Sequence, residues 1–383
     1  MKKLSVLILL MLPVFFTARS QDKKNAMTAG GYVSWLHNAM FDSLGGEWIN
    51  NSMLHNRINL KVYGGSKISF DLEIRNRLIT GDMVRLDPRY RESLTADDGW
   101  ADLSWNIVNE NSFIFNTTID RAYVDFISGK IQIRAGRQRI NWSQSLVWNP
   151  NDIFNTYSFF DFDYVERPGS DALRLTYSTS ASAAAEMAVK INSRGNVSAA
   201  VLYRFNILNA DLQFLAGETN GETYVAGMGW SAALGPYSIR GEGTWFQPME
   251  SDGLNAGTGI FTVGVDRSFS EKLMALAQVM YCNKPLLLSG FNDLYNGGLS
   301  ASQLAFSSFT AMGQVTYSPM PLLNISASSI WYPDLKGFFA GPSIDFSLAE
   351  NVDFSVIWQH FNSIIGGSKT RINLAFIRIK YSF

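Results

Sequence analysis

Arg57 and Lys61, then Asp71, Glu73, Arg75 and Arg77, all fall on odd-numbered positions, with Ile58, Leu60, Leu72 and Ile74 between them. In extended chain, side chains two apart share a face, so these charges line one side of a strand pair and the oily residues line the other. Arg121, Asp125, Arg134 and Arg174 extend the same surface further along the chain. Side chains of both signs around a water-filled passage set up a transverse field that sorts solutes. Packed against one another, the same groups form a salt-bridged wall that only stiffens the structure, since neighbouring strands pair opposite charges. Either role fits any one of them. Hydrolytic chemistry has a thinner basis. His360, Asn362 and Ser363 are close in sequence, but a nucleophile, its base and an orienting group must meet in space. His37, His55 and His360 are scattered without metal-ligand spacing, so neither a metal nor a cofactor is expected.

The elements that position these residues are strands. The 383 residues are 46% hydrophobic and 17% charged, with a mean hydropathy of −0.01. Disorder is excluded by the apolar share. A helical membrane bundle is excluded because no apolar run of about 20 residues follows residue 20. Period-two alternation is strongest at the end, where Ala375, Ile377, Ile379, Tyr381 and Phe383 share one face and Arg378, Lys380 and Ser382 the other. Val352, Phe354, Val356 and Trp358 repeat it against Asp353, Ser355 and Gln359. A soluble sandwich would also alternate, so connection length decides. Every second connection is tight, as at Gly64-Gly65-Ser66, Ser128-Gly129, Leu234-Gly235 and Pro319-Met320-Pro321. The long ones, 37–53, 81–111, 139–169 and 284–307, all fall on the other parity. A transmembrane barrel sorts its loops this way, with short turns at one end and long loops at the other. The chain is therefore expected to be all-β: a transmembrane antiparallel up-and-down β-barrel of about 18 strands, with 16 as the other count.

Residues 1–20 read as a signal peptide. Lys2 and Lys3 precede the apolar stretch from Leu4 to Phe16, and Ala18-Arg19-Ser20 ends in small residues. The barrel is then 21–383, and loss of Lys2, Lys3 and Arg19 takes the net charge from −1 to −4. No nucleic-acid partner is indicated. Cys282, the single cysteine, offers no internal disulfide.

The terminal Phe383, with Tyr381, Ile379 and Ile377 at every second place before it, resembles the C-terminal signature of Gram-negative outer-membrane proteins. The resemblance implies location in the cell outer membrane, contact with its lipid, and insertion by the barrel-assembly machinery through the last strand. Ile133-Arg134-Ala135-Gly136-Arg137-Gln138-Arg139-Ile140-Asn141-Trp142, followed by Asn149-Pro150-Asn151-Asp152-Ile153-Phe154-Asn155, is similar to a strand-then-loop segment of porin-like families of the alginate-export type. No substrate is carried over from it.

Loop 139–169 is the candidate constriction. It is rich in aromatic residues, Trp148 among them, and carries Asp152, Asp161, Asp163 and Glu166, a composition ill suited to open solvent. Folded into the lumen, it would bring its acids to the arginine wall. An outer cap on neighbouring loops is the alternative. Small residues in Ala181–Val189, Thr223–Ala233 and Ala256–Val265 would let such a loop lie close to the wall. The leading function is a passive channel for small hydrophilic solutes, anionic or saccharide-like ones among them. A structural or export subunit is the second reading, and a lipase-type outer-membrane enzyme built on His360 and Ser363 the third.

Overall fold

A computed structural model describes residues 26–156, 160, 166–250, 256–288, 290 and 300–383. The signal-peptide expectation for 1–20 lies outside the described residues. The chain forms β1 (Met27–Phe41), β2 (Trp48–Gly64), β3 (Ile68–Gly81), β4 (Ser104–Asn109), β5 (Phe113–Ser128), β6 (Ile131–Gln138), β7 (Ser170–Ser180), β8 (Ala183–Ile191), β9 (Val197–Ile207) and β10 (Ala210–Thr219). It continues through β11 (Thr223–Leu234), β12 (Tyr237–Pro248), β13 (Thr258–Ser270), β14 (Leu273–Cys282), β15 (Phe309–Met320), β16 (Leu323–Tyr332), β17 (Gly337–Ala349), β18 (Val352–Ile365) and β19 (Ser368–Ser382). Each strand pairs antiparallel with the next, save that β3 passes over β4 to pair with β5, and β1 closes the circuit on β19. Eighteen strands thus make one closed wall. Closure leaves no sheet edge in the membrane, where an unpaired backbone group has no water to turn to. Among the described residues no helix is long and apolar enough to cross a membrane.

The alternation read from sequence sets the two faces. Trp35, Trp331, Trp358, Ile377, Ile379, Tyr381 and Phe383 are exposed on the outside, while Arg57, Asp71, Arg75 and Arg121 on the other parity are buried within. Two boundaries differ from expectation. The connection expected at 37–53 shrinks to 42–47, because β1 and β2 stay paired from Met27↔Val62 to Phe41↔Trp48. Asn38, Asn50, Asn51 and Ser52 lack an oily face, yet a strand end standing above the lipid needs none. The other difference is β4, inside the segment expected to be loop 81–111.

β4 exists because β6 is short. With β6 ending at Gln138, the loop-side half of β5 has no neighbour on that side, and β4 fills the place through Ser104↔Thr118 to Asn109↔Ile114. The segment before it crosses the tops of β6 and β7 to β8, where Gly99 bridges Asn192 and Asp98 pairs with Lys190 at 3.3 Å. Arg137, 4% exposed, clamps this span. It pairs with Asp97 at 2.5 Å, with Asp171 at 2.8 Å, and donates to the Ala101 carbonyl at 2.6 Å. Arg137→Ala should release residues 97–103 from the wall. Limited proteolysis would then cut there while the barrel itself resists; wild-type resistance of that segment would show the clamp is idle.

Candidate functional site

All ten charged residues singled out by spacing lie on the inner face, and each has a protein partner. Arg57 is 0% exposed and is the centre of a network. Its guanidinium pairs with Glu73 and Asp120 and reaches Glu166 of the long loop at 3.8 Å. Arg75 meets the same Asp120 at 3.4 Å. Arg121 donates to the carbonyls of Glu166 and Arg167 at 2.7 and 2.8 Å. Around this network sit separate pairs: Lys61 with Asp71 at 3.4 Å, Arg134 with Asp125 at 3.0 Å, and Arg174 with Glu186 at 2.7 Å. Arg134 also stacks on Tyr123, 4.5 Å from the ring centre. Arg77 turns to neutral partners, Asn116 at 2.7 Å and the Leu94 carbonyl at 3.3 Å.

Asp120 is the residue that spacing misses. Strict alternation would put it outside, on the parity of Ala122 and Val124. The β3–β5 register instead slips between Glu73↔Arg121 and Ile74↔Ile119, leaving Asp120 as the extra residue of a bulge. A bulge re-aims a side chain, and here it turns a carboxylate inward between two arginines. Arg137 is missed for a related reason. It shares the parity of Ile133 and Ala135 and would read as facing lipid, but it stands at the strand end where the 97–103 span covers it.

The described part of loop 139–169 lies against the inner face and is pinned there from strand to strand. Trp142 donates its ring N–H to Glu186 on β8, and its carbonyl accepts from Gln213 on β10 at 2.6 Å. Glu242 on β12 accepts the backbone N–H groups of Gln144, Ser145 and Asn151, the last two at 2.6 and 3.0 Å. Ser145 bonds Thr262 on β13 at 3.0 Å. Gln278 on β14 accepts from the Val147 N–H at 3.0 Å and donates to the Trp148 carbonyl at 3.1 Å. On the far side Gln359 of β18 donates to the Phe160 carbonyl at 3.4 Å, and Tyr32 of β1 donates to Glu166 at 3.3 Å. The loop therefore touches the wall around the circuit. Gly227 and Gly229 on β11 give it room, since an added Cβ would come within 2.6 and 3.0 Å of the Asn151 side chain. This fits the expectation drawn from the small residues of Thr223–Ala233.

Apolar packing completes the seat. At the long-loop end, the inner face of the later strands is oily: Phe246, Ile260, Met280, Met312, Ile330, Phe339, Phe361 and Phe376 form one buried cluster with Trp148, Phe154 and Phe160 of this loop and Leu304 and Phe306 of the loop before β15. Phe160 lies edge-on to Phe339 and Phe361, with ring centres 5.2 and 4.9 Å away. A charged lumen throughout is thus not what the wall presents. Leu374-Ala375-Phe376-Ile377, apolar on both faces, is the sequence signal for it. A strand oily on its inner side must be covered there.

The predicted loop residues divide accordingly. Trp148 is in the buried cluster, and Glu166 meets the arginine network. Asp152 is brought not to the arginine wall but to the β12 side, buried at 1% exposure near Glu242. The corrected placement follows from Asn151, whose bonds to Thr244 and the Met228 carbonyl carry the next residue there. Asp161 and Asp163 lie outside the described residues. The hydrolytic trio does not assemble. On β18, His360 shares the outward face with Trp358 and bonds Asn373 at 2.8 Å, whereas Ser363 has the opposite parity and is buried on the inner face.

No family model matches this chain, and no curated protein does. Solved structures do. OccAB1 of Acinetobacter baumannii superposes with a TM-score of 0.60 at 8% identity, over 94% of this chain and 97% of that one. The outer membrane protein OprD from Pseudomonas aeruginosa gives 0.60 at 7% identity, over 94% and 93%. OccK8 (OprE) of the same organism gives 0.58 at 8% identity, over 93% and 98%. Identities this low establish the fold alone: this chain, closed by 18 strands, has the porin-like barrel fold of OprD and the Occ proteins.

Proposed function

We propose that this protein is an outer-membrane channel for the passive passage of small hydrophilic solutes, narrowed by loop 139–169. The observation that supports it best is the loop held inside a closed barrel, bonded to Glu186, Gln213, Glu242 and Gln278 of the later strands and reaching the Arg57 network through Glu166. A barrel of this strand number leaves room for an aqueous path, and groups of both signs held in place along that path discriminate among solutes. Arg57, Lys61, Asp71, Glu73, Arg75, Arg77, Arg121, Asp125, Arg134 and Arg174 are the proposed pore lining. Trp148, Asp152, Asp161, Asp163 and Glu166 belong to the proposed constriction. Outer-membrane lipid surrounds the oily belt, and the last strand ending at Phe383 is the proposed signal for the assembly machinery. The separation of His360 from Ser363 gives an enzymatic reading no support.

Deletion of residues 145–165 should raise single-channel conductance in a planar bilayer. Unchanged conductance would remove the loop from the constriction. No current from the wild-type protein would favour a structural or export subunit instead.

A further inference from the structure

The bend at residues 144–152 is held by one carboxylate of the wall and carries another of its own. Glu242, 3% exposed, gathers backbone N–H groups from both limbs of the bend, Gln144 and Ser145 on one and Asn151 on the other. The next residue, Asp152, is 1% exposed, and among the described residues neither of its carboxylate oxygens has a hydrogen-bond partner. An unpartnered buried carboxyl is costly as a charge and tolerable when neutral. Among the described residues it is faced by Glu242 from β12, by Arg139 and Arg167 from the two stems of the loop, and by the Trp142 N–H outside hydrogen-bond geometry. The two guanidiniums favour the ionised form, while burial and Glu242 oppose it. Burial is the largest influence and holds this carboxyl up at about 8.

We propose that residues 144–152 form a latch on the channel, fastened by Glu242 and released when Asp152 ionises. The latch rests on the channel reading above and adds its regulation. The direction follows from linkage. Asp152 is neutral in the seated loop and, once released into water, ionises in the ordinary carboxylate range near pH 4. Seating is therefore strongest below that range. Each pH unit from there to the seated value weakens it about ten-fold, and above that value nothing further is lost.

Single-channel conductance at pH 5 and pH 8.5 tests this. The wild-type conductance is expected to rise by about two-fold or more at the higher pH as the lumen widens. Asp152→Asn, with no proton to lose, stays at the low level at both. Glu242→Gln, with one acceptor oxygen replaced by a donor that cannot take the N–H groups of the bend, stays at the high level at both. A wild-type conductance equal at the two pH values, or an Asp152→Asn conductance that rises like wild type, overturns the latch. A spin label at Ser143→Cys, in a Cys282→Ala background, reads the bend without any current. It should be more mobile at pH 8.5 than at pH 5, and equally immobile at both when Asp152→Asn is added. Mobility that changes as expected in a protein passing no current keeps the latch and removes the channel. Current with an unresponsive label removes the latch alone.

Discussion

Gly31→Val should prevent closure of the barrel. The first and last strands meet along a ten-residue register from Tyr32↔Ser382 to Phe41↔Asn373. One step beyond it, Gly31 and Phe383 exchange two backbone hydrogen bonds of 2.9 Å each. A Cβ on Gly31 would stand 2.0 Å from the Arg57 carbonyl oxygen of β2 and 3.1 Å from the Phe383 ring. The first contact is with backbone, which a side-chain rotation does not relieve. β1 would have to leave β2 or β19, and either departure opens an edge. In lipid each unpaired backbone group costs several kcal/mol, so a few lost bonds outweigh the marginal stability of a folded domain. The expected result is loss of the compact, heat-modifiable band on gels and loss of the protein from the outer membrane. Gly30→Ala is the control, because its Cβ would meet only the Phe383 carbonyl oxygen, at 3.2 Å, and should fold. Wild-type yields of folded Gly31→Val would show that the seam tolerates a side chain there and that Phe383 is not seated as described.

The wall was legible in the sequence because a barrel strand has one rule. Oily and polar residues alternate as long as one face meets lipid, and that rule with the parity of the loops gives the closed wall and the count of about 18 strands that it has. Where the rule lapses, reading lapses with it. Asn50, Asn51 and Ser52 have no oily face, and β2 continues through them on its pairing with β1. β4 was hidden because its reason lies elsewhere in the chain: it forms to cover β5 where β6 stops. The inner charges were found by spacing, but their partners were not. Asp120 required a bulge that alternation cannot announce, and Glu242 shares its strand with one other charge, Arg240, and no spacing marks it out. Its role came from the backbone of a loop some 90 residues earlier. The oily inner face at the loop end was signalled by runs such as Leu374-Ala375-Phe376-Ile377, which break alternation in the opposite sense, towards too much apolar surface.

Arg57→Met should be the most damaging single change within the lumen. Arg57 is fully buried, and its fork serves Glu73 and Asp120 while its Nε faces Glu166. Methionine keeps much of the aliphatic volume, so the lost item is charge. Three acids from three different segments would then share Arg75, which lies 3.4 Å from Asp120, and the backbone-bound Arg121. Breaking a buried pair by removing one partner costs about 3–5 kcal/mol, mostly from the charge left behind. Arg57→Lys should recover little, because a single ammonium cannot present the guanidinium's several fixed donors. The attribution is checked by adding Asp120→Asn. If like-charge repulsion around Asp120 is the source, the double variant should be more stable than Arg57→Met alone in urea unfolding from lipid vesicles, and the cycle gives the coupling directly. The same substitution should loosen the loop at its far end, since among the described residues Glu166 would keep Tyr32 at 3.3 Å and Arg121 through the backbone. Ion selectivity in a planar bilayer should shift towards cations, because one positive charge leaves a wall that keeps its acids. Stability and selectivity both equal to wild type would mean that Arg57 neither holds this wall together nor sets its field.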